Sequence, residues 1–571
     1  MKKKFFVTTL ILLVTCIFWG SNFALAGQSI DFEVDTDKDV REISPYIYGV
    51  NYHRYNDNED SDKSSYITSC RIGGNRLTGY NWENNASNAG EDWEQSSDDY
   101  LVMDLPEDRQ DDPAALYTNF QNTANEDNID YSLFTVQMAG YVAADMDGSV
   151  SEEETAPSDR WKEVKFRKDD DFSLEPDIED DYVYMDEMIN FLVDEFGTAD
   201  SDTGIEAYSL DNEPSLWPST HPHMHPDKVS CEKLIEKSSA LASAVKDVDS
   251  EAEIFGPALY GFAAFLDLQS APDWEDDLEN DYQWFIDYYL DSMHEEEDRT
   301  GRRLLDVLDL HWYSEARAND TRIVFSDEDS YDEEVQEARV QAPRMLWDPD
   351  YEEDSWIGDS WTETYRPIIP RIKESIETYY PETKLAFTEY GHGAEGHISG
   401  GIAQADTLGI FGKYGVYLAT LWGSDSEFDY AFAAHELYRN YDGNGGKFGN
   451  THVYSSTQDK VNSSIYTSTE NEDDDTLHMM VINKNSEESI DGNFEIDSNT
   501  DYNTGEVYGF DSSSPDIEKM ESIETINSNN FEYEIPPYTV SHIILKSDDD
   551  SQVVKGDVNG SGEITSNDFA Y

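Results

Sequence analysis

The sequence predicts an α/β protein: a (β/α)8 TIM-like barrel followed by a C-terminal β-sandwich. Three observations lead there. Between about residues 46 and 422, eight short apolar runs alternate with amphipathic segments of helical period, as parallel strands with crossover helices require. Beyond Trp422 the texture changes to strand-like runs split by Asn, Asp, Gly and Ser, which reads as a sandwich. A chain of 571 residues also exceeds one ordinary core, so roughly two to four domains are expected.

The elements follow in order. Residues 1–26 read as a secretory leader: Lys2 to Lys4, an apolar run from Phe5 to Trp19, and the small-x-small site Ala24-Leu25-Ala26 before Gly27. A lipoprotein anchor through Cys16 is the alternative, but the apolar run continues past it. That run is short for a membrane span and no later segment qualifies, so a secreted protein without a membrane partner is expected. Residues 27–45 contain the strand-like Ile30–Val34, predicted to join the sandwich.

The barrel is predicted over 46–430. Its candidate strands are Tyr46–Asn51, Tyr66–Arg71, Ile129–Gln137, Ile205–Leu210, Glu253–Gly256, Asp306–Leu310, Lys384–Thr388 and Val416–Leu421. In Met185–Phe196 the residues Met185, Met188, Ile189, Leu192 and Phe196 share one helical face, and Gly197 follows as a stop. Cys231–Lys246 repeats the pattern with Leu234, Leu241 and Val245. The sandwich is placed at 431–546, with runs such as His478–Ile482 and Val540–Leu545. A polar linker at 547–555 and a distinct tail at 556–571 follow.

Acidic side chains number 123 against 38 basic, a net charge of −85 that becomes −88 once the leader's three lysines are removed. Nucleic acid is excluded as a partner, because phosphate binding needs a basic face, and a polyanionic substrate would be repelled. Disorder is the bland reading of such acidity. The acids are interleaved with Trp, Tyr and Ile throughout, which favours a folded protein from a salty setting where counterions screen self-repulsion. Cys70 and Cys231 remain after the leader, and the sequence leaves open whether they pair.

Functional side chains of such barrels stand at the C-terminal ends of strands. Glu213 follows the fourth run in Leu210-Asp211-Asn212-Glu213-Pro214, and Glu389 follows the seventh before Tyr390-Gly391. A solvated surface charge is the ordinary state of a Glu, but two at equivalent strand ends fit glycoside cleavage. One protonated carboxyl would donate to the leaving oxygen, and one carboxylate would attack or activate water. Asn212 is then suited to hold the sugar 2-hydroxyl.

The stretch from Arg71-Ile72-Gly73-Gly74-Asn75-Arg76 to Asn88-Ala89-Gly90 resembles glycoside hydrolase family 44, the endoglucanases and xyloglucanases. So do Met138-Ala139-Gly140-Tyr141, His311-Trp312-Tyr313, Glu395-Gly396-His397-Ile398 and Tyr438-Arg439-Asn440-Tyr441. The resemblance spans about Ile47 to Leu545. It implies a retaining mechanism, Glu213 as acid/base and Glu389 as nucleophile, with Tyr313 placed to orient Glu389. The carboxyls should then lie about 5–5.5 Å apart rather than about 6.5–9.5 Å. A secreted endo-β-1,4-glucanase or xyloglucanase acting on β-glucan polysaccharide is expected. A xylanase or mannanase of the same mechanism is the alternative within enzymes, and a non-catalytic carbohydrate-binding protein outside them.

Sugar-binding candidates are Asn212, Trp82, His311, Tyr313, Trp347, Trp361 and Trp422, with Trp93 and Trp356 as further aromatic platforms; for each Trp a buried core position is the competing reading. His221-Pro222-His223-Met224-His225 has the alternation of a metal site, though its prolines break the strand that would align the ligands. The tail places oxygen ligands Asp557, Asn559, Ser561 and Asp568 at loop positions 1, 3, 5 and 12 with Gly562 at position 6. It resembles the first calcium loop of a type I dockerin, a module that docks onto cohesins. Calcium there and a cohesin partner are therefore expected, and the resemblance to family 44 implies a further structural calcium in the barrel. A dockerin has two such repeats and one is present here; an acidic turn without calcium is the alternative.

Overall fold

The computed structural model describes residues 27–51, 66–324, 332–423, 427–470 and 473–547, without the side chains of 360–363 and 473–474. The predicted leader, the linker beyond Ser547 and the calcium loop of Asp557, Asn559, Ser561 and Asp568 lie outside the described residues.

The chain opens with strand β1 (Gln28–Asp35), whose alternate residues Ile30, Phe32 and Val34 are buried at the period of a strand with one face inward. Eight parallel strands then close a barrel: β2 (Gly49–Asn51), β3 (Ser69–Ile72), β4 (Tyr131–Val136), β5 (Ala207–Leu210), β6 (Glu253–Leu259), β7 (Val307–Tyr313), β8 (Lys384–Gly391) and β9 (Leu418–Leu421). All eight predicted runs supply a strand, and β9 pairs back onto β2.

Among the helices packed outside are α1 (Ala115–Glu126), α2 (Met185–Phe196), α3 (Cys231–Val248), α4 (Phe285–Thr300), α5 (Ile368–Tyr379), α6 (Ile398–Tyr414) and α7 (Asp429–Arg439). In α2 the five predicted face residues are all buried and Gly197 caps the C-terminus. In α3 the Ser230 hydroxyl accepts the Lys233 N–H at 3.1 Å, which fixes the start.

The barrel interior is graded. Its floor is apolar and aromatic, with Leu133, Ala207, Phe255, Val307, Ala386 and Leu418 in one cluster. Above it Asn51, Arg71, Ser209, Asp309, Thr388 and Thr420 are all fully buried polar residues. Buried polar groups need partners, and these find one another. Asp309 accepts Ser209 Oγ at 3.1 Å and Thr388 Oγ1 at 2.6 Å.

Three strands run further than the sequence pattern suggests. β6, β7 and β8 continue past Gly256, Leu310 and Thr388 because their backbones find parallel partners there. Between β7 and β8 the register shifts after Leu310, so that His311 faces Glu389 and Tyr313 faces Gly391. The shift re-aims the polar ends of both strands.

Residues 431–439, expected to open the sandwich, belong instead to α7. Ala431, Phe432, Ala434, His435, Leu437 and Tyr438 are buried at helical spacing against the barrel. The sandwich comprises β10 (Thr451–Thr457), β11 (Ser463–Glu470), β12 (Asp473–Asn483), β13 (Ile490–Asp497), β14 (Tyr502–Asp511), β15 (Ser514–Lys519), β16 (Asn530–Ile535) and β17 (Thr539–Ser547). Its strand order is β15-β14-β17-β12-β11-β10-β1-β13-β16, so β1 sits inside the sheet. Both halves share a core containing Phe32, Val453, Met479, Phe494, Val507 and Ile543.

The opposite faces of β11 and β12 press on α6. Lys484 and Asp406 form a fully buried ion pair across this junction at 2.7 Å, and Tyr466 donates to the same carboxylate at 2.6 Å.

Candidate active site

Glu213 and Glu389 stand at the C-terminal ends of β5 and β8, the fourth and seventh barrel strands. Each offers an oxygen within 4.8 Å of the other's, with His311 Nδ1 inside the same radius. His311 Nδ1 lies 2.9 Å from Glu213 Oε1 and 3.6 Å from Glu389 Oε2.

Glu213 is held by a strained turn. Asp211 and Glu213 both adopt left-handed backbone, with φ of 65° and 44°, a conformation that costs a non-glycine residue about 1–3 kcal/mol. The surroundings over-determine it. The buried Asp211 carboxylate accepts the backbone N–H groups of Met138 and Ala139, at 2.5 and 2.8 Å. It also accepts Thr78 Oγ1 at 2.7 Å and the Asn212 N–H at 2.8 Å. Glu213 N–H donates to the Ala258 carbonyl at 3.0 Å, and the Trp217 indole N–H donates to the Asn212 carbonyl at 2.9 Å.

Glu389 is held by charge and hydroxyl. Arg71 on β3, fully buried, donates from Nη1 to Glu389 Oε1 at 2.7 Å and to Asn51 Oδ1 at 3.1 Å. Its Nη2 donates to Asn212 Oδ1 at 2.8 Å. Tyr313 Oη donates to Glu389 Oε2 at 3.0 Å. Burial, then the Glu389 charge, pushes the Tyr313 phenol well above its usual range, so it remains a donor.

The two carboxyls are thereby set apart. Burial pushes Glu213 up to about 7, opposed by Arg71 and reinforced by the charge of Asp92. The guanidinium contacts Glu389 directly and reaches Glu213 only through space. One carboxyl is pushed toward keeping its proton near neutrality, and the other is paired with a buried cation.

The glycines after β3 answer to close approach. A Cβ on Gly73 would lie 2.4 Å from the Arg71 guanidinium carbon, and one on Gly74 (φ 95°) 2.5 Å from the Trp422 ring. Trp422 borders two lobes of one cleft that meet at Glu213 and Tyr313. One lobe, of about 940 Å³, reaches Asn75, Arg76, Trp93 and Tyr100. The other, of about 580 Å³, reaches Tyr260, Trp312 and Trp356. Both distal Trp are exposed, 66% for Trp93 and 39% for Trp356, as platforms for a ligand must be.

Asn212, Tyr313 and Trp422 line this cleft. Trp82 and Trp347 fall elsewhere. Trp82 is fully buried and packs on Phe191, a core position. Trp347 lies beside the sandwich, with Lys460 and Lys413 over its ring at 5.2 and 5.8 Å. His311 is fully buried, with its Nδ1 committed to Glu213. Trp361 lies in the helix Trp356–Tyr365, but its side chain is outside the described residues.

The His221–His225 stretch does not converge on an ion. His221 Nε2 bonds the Asn75 carbonyl at 2.9 Å and His225 packs on Trp217; among the described residues no third ligand joins them. Cys70 and Cys231 are both buried and unpaired with each other.

Arg71, Asn51 and Asp211 are the supporting residues of this site that sequence reasoning passed over. Their signal was a charged or amide side chain ending an apolar strand, where a solvated charge would be out of place.

The sequence model of glycoside hydrolase family 44 matches residues 86–316. Endoglucanase A of Paenibacillus lautus is 49% identical over 551 residues, covering 96% of this chain and 77% of that protein. The crystal structure of a family 44 endoglucanase from Clostridium thermocellum superposes with a TM-score of 0.87 at 53% identity, over 91% of this chain and 100% of that one. A family 44 xyloglucanase from Paenibacillus polymyxa, solved with xyloglucan, has the same TM-score and coverage at 47% identity. With Glu213 and Glu389 facing one another across an aromatic cleft, the chain is a glycoside hydrolase and belongs to family 44.

Proposed function

We propose that this enzyme is a secreted, retaining endo-β-1,4-glucanase whose range extends to xyloglucan. The observation that carries the reading is the carboxyl pair. Oxygens of Glu213 and Glu389 come within 4.8 Å, in keeping with the roughly 5–5.5 Å of retaining pairs and short of the roughly 6.5–9.5 Å that leaves room for an inverting water. Glu213 donates its proton to the glycosidic oxygen as the C1–O bond breaks, and a Glu389 oxygen bonds to C1. Water then attacks C1 and passes a proton to Glu213, and Glu389 leaves as carboxylate. Arg71 and Tyr313 hold the nucleophile, and Asn212 meets the sugar.

A cleft continuing on both sides of the pair supports internal cleavage of a chain. The names of the relatives support a β-glucan backbone. The test follows product anomers by NMR on soluble cellulose, xyloglucan, xylan and mannan, comparing wild type with Glu389→Gln. An initial β-anomer from the glucans is expected. An initial α-anomer, or preference for xylan or mannan, would overturn the reading.

We further propose, from residue spacing alone, that Asp557, Asn559, Ser561 and Asp568 bind calcium in a loop that docks onto a cohesin. Calorimetric titration of the full chain with calcium should lose one binding event in Asp557→Ala. Export is in keeping with the described residues, which include no helix long and apolar enough to cross a membrane.

A further inference from the structure

His311 lies on the floor of the site, and its ring geometry fixes where a proton must sit. It is fully buried on β7, opposite Glu389 on β8. Its Nδ1 is 2.9 Å from Glu213 Oε1 and 3.6 Å from Glu389 Oε2, and its Nε2 has no hydrogen-bond partner. Burial depresses its basicity; Glu389 and Asp309 oppose this and Arg71 adds to it. A neutral imidazole carries one proton. On Nε2 that proton would be a buried donor without an acceptor. On Nδ1 it has Glu213 Oε1 as acceptor at 2.9 Å, with the Glu389 carboxylate next nearest at 3.6 Å. The tautomer is therefore Nδ1–H.

Glu213 Oε1 is then occupied as an acceptor, while no protein group among the described residues hydrogen-bonds Oε2. The charged and titratable groups around the pair are Arg71, Asp92, Tyr260, Asp309, Glu389 and Tyr313. Arg71 is committed to Glu389, Asn51 and Asn212, and Tyr313 to Glu389, so His311 is the donor left for Glu213.

We propose that His311 is a positioning residue that reserves Oε2 of Glu213 for the transferable proton and stabilises Glu213 as a carboxylate once that proton has gone. The inference rests on Glu213 being the acid/base. In the first step the Oε2 proton moves to the leaving oxygen, and the electron pair of the broken C1–O bond stays on that oxygen. The Glu213 carboxylate now accepts the undiminished Nδ1–H at Oε1. In the second step Oε2 takes the proton of the attacking water. His311 keeps its own proton throughout.

The test is the pH profile of kcat/KM, whose basic limb reports the free-enzyme acid. His311→Asn places an amide N–H near the Nδ1 position, His311→Gln places one near Nε2, and His311→Phe has no donor. Losing a hydrogen bond to the charged form raises a carboxyl's pKa, so the basic limb should move up by about one pH unit or more in the Gln and Phe variants. It should stay within about 0.3 unit of wild type in Asn, and kcat/KM at pH 6 should fall at least about tenfold in Gln and Phe only. If His311→Phe does not fold, the Asn–Gln pair still decides. An unmoved limb in all three variants, or equal shifts in Asn and Gln, would overturn the proposal. Glu213→Gln serves as the control: full activity there defeats the acid assignment itself, whereas an inactive Glu213→Gln with unmoved His311 limbs defeats only the positioning role.

Discussion

Arg71 Nη1 lies 2.7 Å from Glu389 Oε1, joining strands whose pairing partners differ and whose residues are 318 positions apart. The guanidinium is fully buried and also holds Asn212, so one cation links Glu389 to the residue beside Glu213. Replacing it with Met should lower kcat at least about 100-fold, because Glu389 loses the buried cation that contacts and holds it. It should also destabilise the fold by about 3–5 kcal/mol, since Glu389 would be left buried without its partner. Steady-state kinetics and chemical denaturation measure the two effects separately.

The Glu213 carboxyl has a sign that can be checked in stability. Its folded value, about 7, exceeds the ordinary glutamate value of 4.5, so between those pH values the folded state binds more protons than the unfolded one. Its contribution to stability therefore declines as pH rises from about 4.5 to 7 and remains lost above. Glu213→Gln removes the penalty. We expect it to be more stable than wild type by on the order of 1–3 kcal/mol at pH 8 and no more stable at pH 4, as read by urea unfolding. Wild-type activity should fall as pH rises through about 7.

Trp93 and Trp356 mark opposite lobes of the cleft. Losing a stacking platform of this kind costs about 1–2 kcal/mol, so Trp93→Ala and Trp356→Ala should each raise KM on long glucans roughly 5- to 30-fold. With a series of short oligosaccharides the two variants should shift the cleavage pattern in opposite directions. Trp422→Ala, at the centre, should lower kcat as well.

The Lys484–Asp406 pair joins sandwich to barrel with both side chains fully buried. Lys484→Met leaves Asp406 and the Tyr466 hydroxyl without the cation and should cost about 3–5 kcal/mol. Calorimetry should show a single transition shifted downward. Two separated transitions would mean that the domains unfold independently.

A net charge of −85 repels itself in dilute buffer. Added salt shortens the screening length from about 10 Å at 0.1 M to about 3 Å at 1 M. Thermal midpoint should therefore rise with sodium chloride up to molar concentration, with activity retained. A midpoint that falls over that range would separate the acidity from salt adaptation.

The eight strands, the helical face of Met185–Phe196 and the two carboxylates at strand ends were legible in the sequence. Each rests on local period and composition: apolar runs, i and i+4 spacing, a charged residue closing a strand. The three-residue-early ends assigned to the sixth and seventh runs were not legible as continuations. His311 and Glu389 belong to strands only because parallel neighbours receive their backbone groups after a register shift. The start of the sandwich was missed for a related reason: residues 431–439 carry a helical pattern that gains meaning only against the barrel wall.

The sequence by itself determined which residues could do chemistry, because side-chain type and strand position are written along the chain. Tertiary structure alone decided which of them do. Closing the barrel carried Arg71 to Glu389, sank His311 beneath Glu213, buried Trp82 and left Trp93 exposed. Burial and partnership are properties of the closed surface, and they set both the protonation of the acid and the reach of the cleft.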